Sequence, residues 1–259
     1  MNIIMFINVD NIARKIMNNK QKFKNAFTLA EVLITIGIIG IVAAMTIPTL
    51  ISNYQKHIVE TNLQETYSIM QQVMKYADYD DVSLDMRIPD SLAGMQSWSE
   101  TFLQPHLKYG KICYDTSGCW QSKGATKTLN GKVAGWNRTG VGLGLGIITL
   151  KLTNGANLCL DGYSKGDMKS WFGIDISDST SLVVYIDANG DKGPNIVGKD
   201  IYILAYTSNG LVPAGYNVTN DEIKLNCSSN SSSYNAGYYC MNLVKSNGWK
   251  IPKDIWNLK

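Results

Sequence analysis

The densest run of oxygen-bearing side chains is Asp187-Ala188-Asn189-Gly190-Asp191-Lys192-Gly193-Pro194-Asn195. Its D-x-N-x-D core sets oxygen donors on alternate residues, as calcium loops do. Asp187, Asn189 and Asp191 are the ligands this pattern nominates, with calcium as the candidate cofactor. An EF-hand loop would end in Glu twelve residues from the first Asp. Position 198 is Gly, and Asp200 offers a later carboxylate instead. The competing reading is a polar β-loop in which Asn and Gly supply positive φ.

Catalytic chemistry finds little support elsewhere. His57 and His106 stand alone, and the chain has no CxxC, Cys/His cluster, GxSxG or HExxH. Gly140, Gly142, Gly144 and Gly146 form GxGxGxG, with no buried parallel strand before them and no helix after, so they do not read as a dinucleotide loop. The expectation is a protein that is not an enzyme.

One carboxylate stands out by its surroundings. From Val32 to Gln55 no residue is charged, and most are apolar. At ~1.5 Å per residue this run is roughly 36 Å long, enough for a hydrocarbon core of ~30 Å. Arg14, Lys15, Lys20, Lys22 and Lys24 precede it, opposed only by Asp10. The positive-inside rule leaves that flank in the cytoplasm and exports the rest. An ordinary signal peptide has a shorter apolar run and a small-residue cleavage site after it, whereas Tyr54-Gln55-Lys56-His57 follows here. Glu31 heads the run. A carboxylate costs roughly 2.5–3.5 kcal/mol at mid-membrane and less near an end. A plain anchor has no use for it.

The string Lys24-Asn25-Ala26-Phe27-Thr28-Leu29-Ala30-Glu31-Val32-Leu33 resembles the cleavage and methylation motif of type IV prepilins and type II secretion pseudopilins. In that family a prepilin peptidase cuts on the cytoplasmic face before a Phe, the apolar helix is retained, and the new amine is methylated. The resemblance places the cut between Ala26 and Phe27, methylation on Phe27, and an assembly role on Glu31, the fifth residue of the processed chain. Family members usually end the leader in Gly; Ala26 is also small. The resemblance further implies that Glu31 neutralises a neighbouring subunit's amine, and that Pro48 marks where the helix kinks. A proline inside a helix removes a backbone donor. Met17 would open a ten-residue leader, closer to the family's usual length than the 26 residues from Met1.

Positioning elements follow from the pattern. Ile51, Tyr54, Ile58, Leu63, Tyr67, Met70 and Met74 recur at helical spacing, so the anchor helix should continue outward with one face covered, ending near Ala77–Asp81. A short helix is expected at Ser97–Leu107. Gly146–Leu152 and Ala156–Leu160 flank the turn Thr153-Asn154-Gly155, and Ser181–Asp187 and Ile201–Tyr206 flank a longer loop. Ser208-Asn209-Gly210 turns towards Leu211–Val212. The Ser-, Asn-, Gly- and Tyr-rich C-terminal third is expected to hold strands without an assignable position. The fold class is α+β, and the pilin resemblance implies a long N-terminal helix packed on an antiparallel sheet. The expected organisation is a leader at 1–26, a transmembrane assembly helix at 27–51, its amphipathic extension at 52–80, and an extracytoplasmic head at 81–259.

All five cysteines follow the apolar run and would be exported together, where pairing is expected. Proximity favours Cys113 with Cys119 and Cys227 with Cys240, the latter where pilins often close a loop. Cys159 is left as a buried thiol, though five cysteines permit other pairings. Charges after residue 56 are mixed, without a basic stripe, so no nucleic-acid partner is expected. The resemblance implies prepilin peptidase, other pilin or pseudopilin subunits and the bacterial inner membrane as partners, with a single-pass chain that becomes a cell-surface or periplasmic filament subunit. A membrane-anchored extracytoplasmic binding module that never polymerises is the alternative.

Overall fold

A computed structural model describes residues 28–79, 92–122, 124–134 and 147–258. The expected cleavage residues Ala26 and Phe27 and the glycines Gly140–Gly146 lie outside them. The chain divides into two compact units, Met1–Ile51 and Ser52–Lys259.

The described part of the first unit is the N-terminal portion of helix α1, Leu29–Tyr79. Leu33, Ile36, Ile39, Val42, Met45 and Leu50 are all exposed, which for a helix apolar on every side is the composition of a lipid-facing span. The helix is long and apolar enough to cross a membrane. Its threonines return their hydroxyl protons to the backbone: Thr35 Oγ1 donates to the Val32 carbonyl and Thr46 Oγ1 to that of Val42, both at 2.9 Å. Pro48 sits inside α1 and leaves the Ala44 carbonyl without its usual intrahelical donor.

In the second unit α1 buries Val59, Glu60, Leu63, Thr66, Met70, Val73 and Met74. Steps of three and four keep Val59, Leu63, Thr66, Met70 and Val73 in one stripe. The stripe differs from the expected one at its start. Tyr54 is 65% exposed, and the burial begins at Val59 instead. Apolar periodicity fixed the helix but not the point at which the rest of the chain begins to cover it. Truncating Leu63 to Ala should cost about 2–5 kcal/mol.

Six strands form one antiparallel meander in chain order: β1 Tyr109–Tyr114, β2 Ile148–Leu152, β3 Asn157–Ser164, β4 Thr180–Asp187, β5 Ile201–Thr207 and β6 Gly210–Pro213. Alternate residues serve opposite faces. Leu150, Leu158, Leu160, Val184, Ile186 and Leu204 join the α1 stripe in one core. Cys159, Val183, Tyr185, Ile203 and Ala205 point the other way, onto Met168, Phe172 and Ile174. Phe172 belongs to helix α3, Lys165–Phe172, which Ser164 caps at one end and Gly173, at φ 60°, at the other. β4 and β5 are therefore apolar on both sides.

The helix expected at Ser97–Leu107 starts and ends earlier. Helix α2 spans Leu92–Trp98 and passes into a π-turn, Ser99–Leu103, closed by the Gln104 N–H on the Ser99 carbonyl at 2.9 Å. The C-terminal expectation is corrected. Among the described residues no strand follows Pro213; the segment instead forms helices α4 Asn220–Asn226, α5 Cys240–Ser246 and α6 Lys253–Trp256. Thr219 and Glu222 form a reciprocal capping box that starts α4. Glu60 accepts from the Ile251 N–H at 2.9 Å and from Lys250 Nζ at 2.8 Å, and Trp256 Nε1 donates to Ser52 Oγ at 2.9 Å. These bonds fasten the C-terminal segment to α1. Both favoured disulfides are present, Cys113–Cys119 and Cys227–Cys240, and Cys159 is a buried free thiol.

Candidate functional site

Two places carry the chemistry that the sequence singles out, one in each unit. The first is the start of α1. Thr28 precedes the first helical residue, and Glu31 lies three residues later. The Glu31 carboxylate accepts from both the N–H and the hydroxyl of Thr28 at 2.8 Å, while Thr28 Oγ1 accepts from the Glu31 N–H at 3.2 Å. This reciprocal capping box satisfies donors that a helix start leaves open. It also holds the negative charge back towards the helix N-terminus, where the macrodipole favours it. Helix α1 thus presents an anchored carboxylate at the head of an apolar surface.

The second place is the connection from β4 to β5. Asp187 is the last residue of β4, and Asp200 immediately precedes β5. The Ala188 N–H donates to the Asp200 carbonyl at 2.9 Å, drawing the two ends of the loop together. Gly190 permits the turn: its φ is +65°, and a Cβ there would stand 2.2 Å from the Gly155 carbonyl oxygen in the β2–β3 turn. Asp200 staples the loop from inside. Its Oδ2 accepts the Asn195 N–H at 2.8 Å and Asn189 Nδ2 at 3.2 Å, and its Oδ1 accepts the Ile196 N–H at 2.6 Å. Asp187 Oδ2 accepts from Gln121, which follows the Cys113–Cys119 loop.

Asp187 and Asp200 are both fully buried. Burial pushes the Asp187 carboxyl well above its ordinary value, and the nearby Asp200 charge pushes it further. Burial also raises Asp200, to about 6, even though the N–H groups of Ile196 and Asn195 favour its charged form.

Of the four nominated ligands, the fold gathers Asp187, Asn189 and Asp200. Asp191 points elsewhere: Lys151 of β2 pairs with it, and Asn157 Nδ2 donates to its Oδ1 at 3.1 Å. Two residues of this site were not nominated from the sequence, Asn195 and Gln121. Asn195 stands within the same polar string, at φ 57°, a conformation that favours Asn over most residues. Gln121 carries no sequence signal, because its place depends on a loop 66 residues away in the chain.

Residues 21–47 fit the family model described as the prokaryotic N-terminal methylation motif. The fit covers the last two lysines of the basic flank, Lys22 and Lys24, the capping box and the first part of α1, and leaves the second unit untouched. No curated protein and no solved structure gives a significant match.

Proposed function

We propose that this chain, which carries the prokaryotic N-terminal methylation motif of type IV pilins and pseudopilins, is a structural subunit of a type IV pilus or a type II secretion pseudopilus. Prepilin peptidase removes the leader between Ala26 and Phe27, Phe27 is methylated, and the subunits assemble through helix α1. The observation that carries this reading is Glu31, held in a capping box at the head of an exposed apolar helix and inside the matched motif.

The physical argument concerns how a carboxylate is tolerated there. Within one chain, Thr28 supplies hydrogen-bond donors to the carboxylate, which lowers the cost of holding it at the head of the apolar span but leaves its charge without a counter-ion. Cleavage before Phe27 creates an ammonium group one helical turn from Glu31. Two opposite charges at the start of an apolar helix can then pair between subunits and select one stagger of neighbouring helices over others. The exposed apolar positions Ile36, Ile39, Val42 and Met45 supply the remaining packing surface. Partners on this reading are the peptidase, other pilin or pseudopilin subunits and the inner membrane, with the second unit exported.

N-terminal sequencing and mass spectrometry of the mature protein test the reading. A start at N-methylated Phe27 is expected. An intact leader, or a chain beginning after Leu50, overturns it.

A further inference from the structure

The Cys227–Cys240 disulfide ties the C-terminal end of α4 to the first residue of α5. Asn226 braces the same junction. Its carbonyl accepts the Gly237 N–H at 2.9 Å, and its Oδ1 accepts the Tyr239 N–H at 3.1 Å. Between the two helices lies a groove of about 350 Å³, open to solvent. That volume is at the small end of the range for ligand clefts. Helical spacing builds both walls: Asn220, Ile223 and Lys224 share one face of α4, and Asn242, Leu243 and Ser246 one face of α5.

The polar groups in this groove have unspent bonding capacity. Lys224 pairs with no carboxylate among the described residues, and the Asn220 side chain has no partner among them. Asn242 gives its amide nitrogen to the Ala214 carbonyl, which leaves its oxygen on the other side of the amide. Ser246 Oγ donates to the Leu243 carbonyl at 3.0 Å and keeps its lone pairs. Glu222, on the same helix as Lys224, is committed to the N–H and hydroxyl of Thr219, both at 2.8 Å. Lys224 is therefore the one charge lining the groove, set between neutral polar groups and two half-buried apolar side chains, Ile223 and Leu243.

We infer that this groove binds a sugar residue that carries a carboxylate, of the hexuronate class. Sugar hydroxyls both donate and accept, and the Asn220 amide, the Asn242 oxygen and the Ser246 hydroxyl answer both needs. Ile223 and Leu243 offer apolar surface to the C–H face of the ring. Lys224 answers a single negative charge. Phosphate fits less well, because the groove has no arginine fork and only one ammonium group. A fatty acid would need a longer apolar wall than two side chains supply. The disulfide and the Asn226 brace hold the walls in place before a ligand arrives, which lowers the ordering cost of binding. The inference does not depend on whether the chain polymerises.

Saturation-transfer NMR and isothermal titration calorimetry test it on the full chain, in a detergent without a sugar headgroup. Of glucuronate and galacturonate, at least one should bind once per chain and at least tenfold more tightly than glucose, a hexose without the carboxylate. N-acetylalanine, a carboxylate on a peptide-like frame, should bind at least tenfold more weakly than that uronate. Lys224→Gln should bring the uronate down to the level of glucose. Ser246→Trp, which fills the groove, should abolish its saturation transfer. Both positions are exposed, so both variants should keep the wild-type circular dichroism and unfolding midpoint. Failure of both uronates to bind the folded wild-type chain overturns the inference. So does equal binding of glucose or N-acetylalanine, a preference for the uronate that survives Lys224→Gln, or uronate binding that survives Ser246→Trp.

Discussion

Glu60 on helix α1 accepts a 2.9 Å hydrogen bond from the backbone N–H of Ile251, a residue 191 positions later, and both are buried. The same carboxylate meets Lys250 at 2.8 Å and Lys56 at 3.8 Å. One side chain thus joins the helix to the C-terminal segment that α6 completes. Glu60→Ala leaves the Ile251 N–H buried without an acceptor. A loss of about 1–3 kcal/mol is expected. Thermal unfolding of the purified chain measures it, and an unchanged midpoint would show that the bond contributes nothing.

Glu31→Ala separates assembly from anchoring. The substitution leaves the apolar span and the residues flanking the cut in place, so processing and membrane insertion should continue. Filament formation should fall sharply, because the charge that would pair between subunits is gone. Electron microscopy of sheared surface material, set beside immunoblots of membrane fractions, reads both quantities. Normal filaments from this variant would remove the assembly role.

Burial raises the Asp161 carboxyl to about 6, against the Gly162 N–H and the Tyr163 hydroxyl, which favour its ionised form. Its ordinary value is 3.8. Between these values the folded chain holds a proton that the unfolded chain has released. Stability therefore falls as pH rises from about 4 to about 6 and then levels, with a contribution from this group of up to about 3 kcal/mol. Asp161→Asn should flatten that part of the profile. Unfolding midpoints of the two proteins compared from pH 4 to 7 test the sign, and parallel profiles refute it.

Cys159 is fully buried in β3, and burial raises its thiol well above the ordinary range. Reactivity follows the thiolate and its access. Without reductant, iodoacetamide should modify no cysteine of the folded chain and one after denaturation. Rapid labelling of the native protein, read by mass spectrometry, would contradict the burial.

Much of the fold was legible where a local rule settles the structure. The Thr153-Asn154-Gly155 turn fixes its hairpin because Gly155, at φ 89°, closes it, and the flanking residues pair across it from Lys151–Asn157 outward. Helices α3 and α4 were missed although their caps are visible in sequence: Ser164 with Asp167 and Gly173, and Thr219 with Glu222. Both helices are too short, at eight and seven residues, for apolar periodicity to show. Strand β1 was missed for a different reason. Its Tyr109–Tyr114 pairs at the edge of the sheet and shows no period-two burial, with Tyr109, Ile112 and Tyr114 only partly buried against the core.

By itself, then, the sequence determined the features whose physics lies within a few residues. These are the basic flank, the apolar span, the carboxylate of Glu31 four residues after Phe27, and the polar string between β4 and β5. Tertiary structure alone decided which members of that string share a site. Lys151, brought alongside by the β2–β3 hairpin, draws Asp191 out, while the Asp200 staple turns Asn195 in. It also decided that Glu60 would be buried and paired, and where on α1 the covered stripe would begin. Those outcomes depend on contacts between residues distant in the chain, and spacing along the sequence carries no record of them.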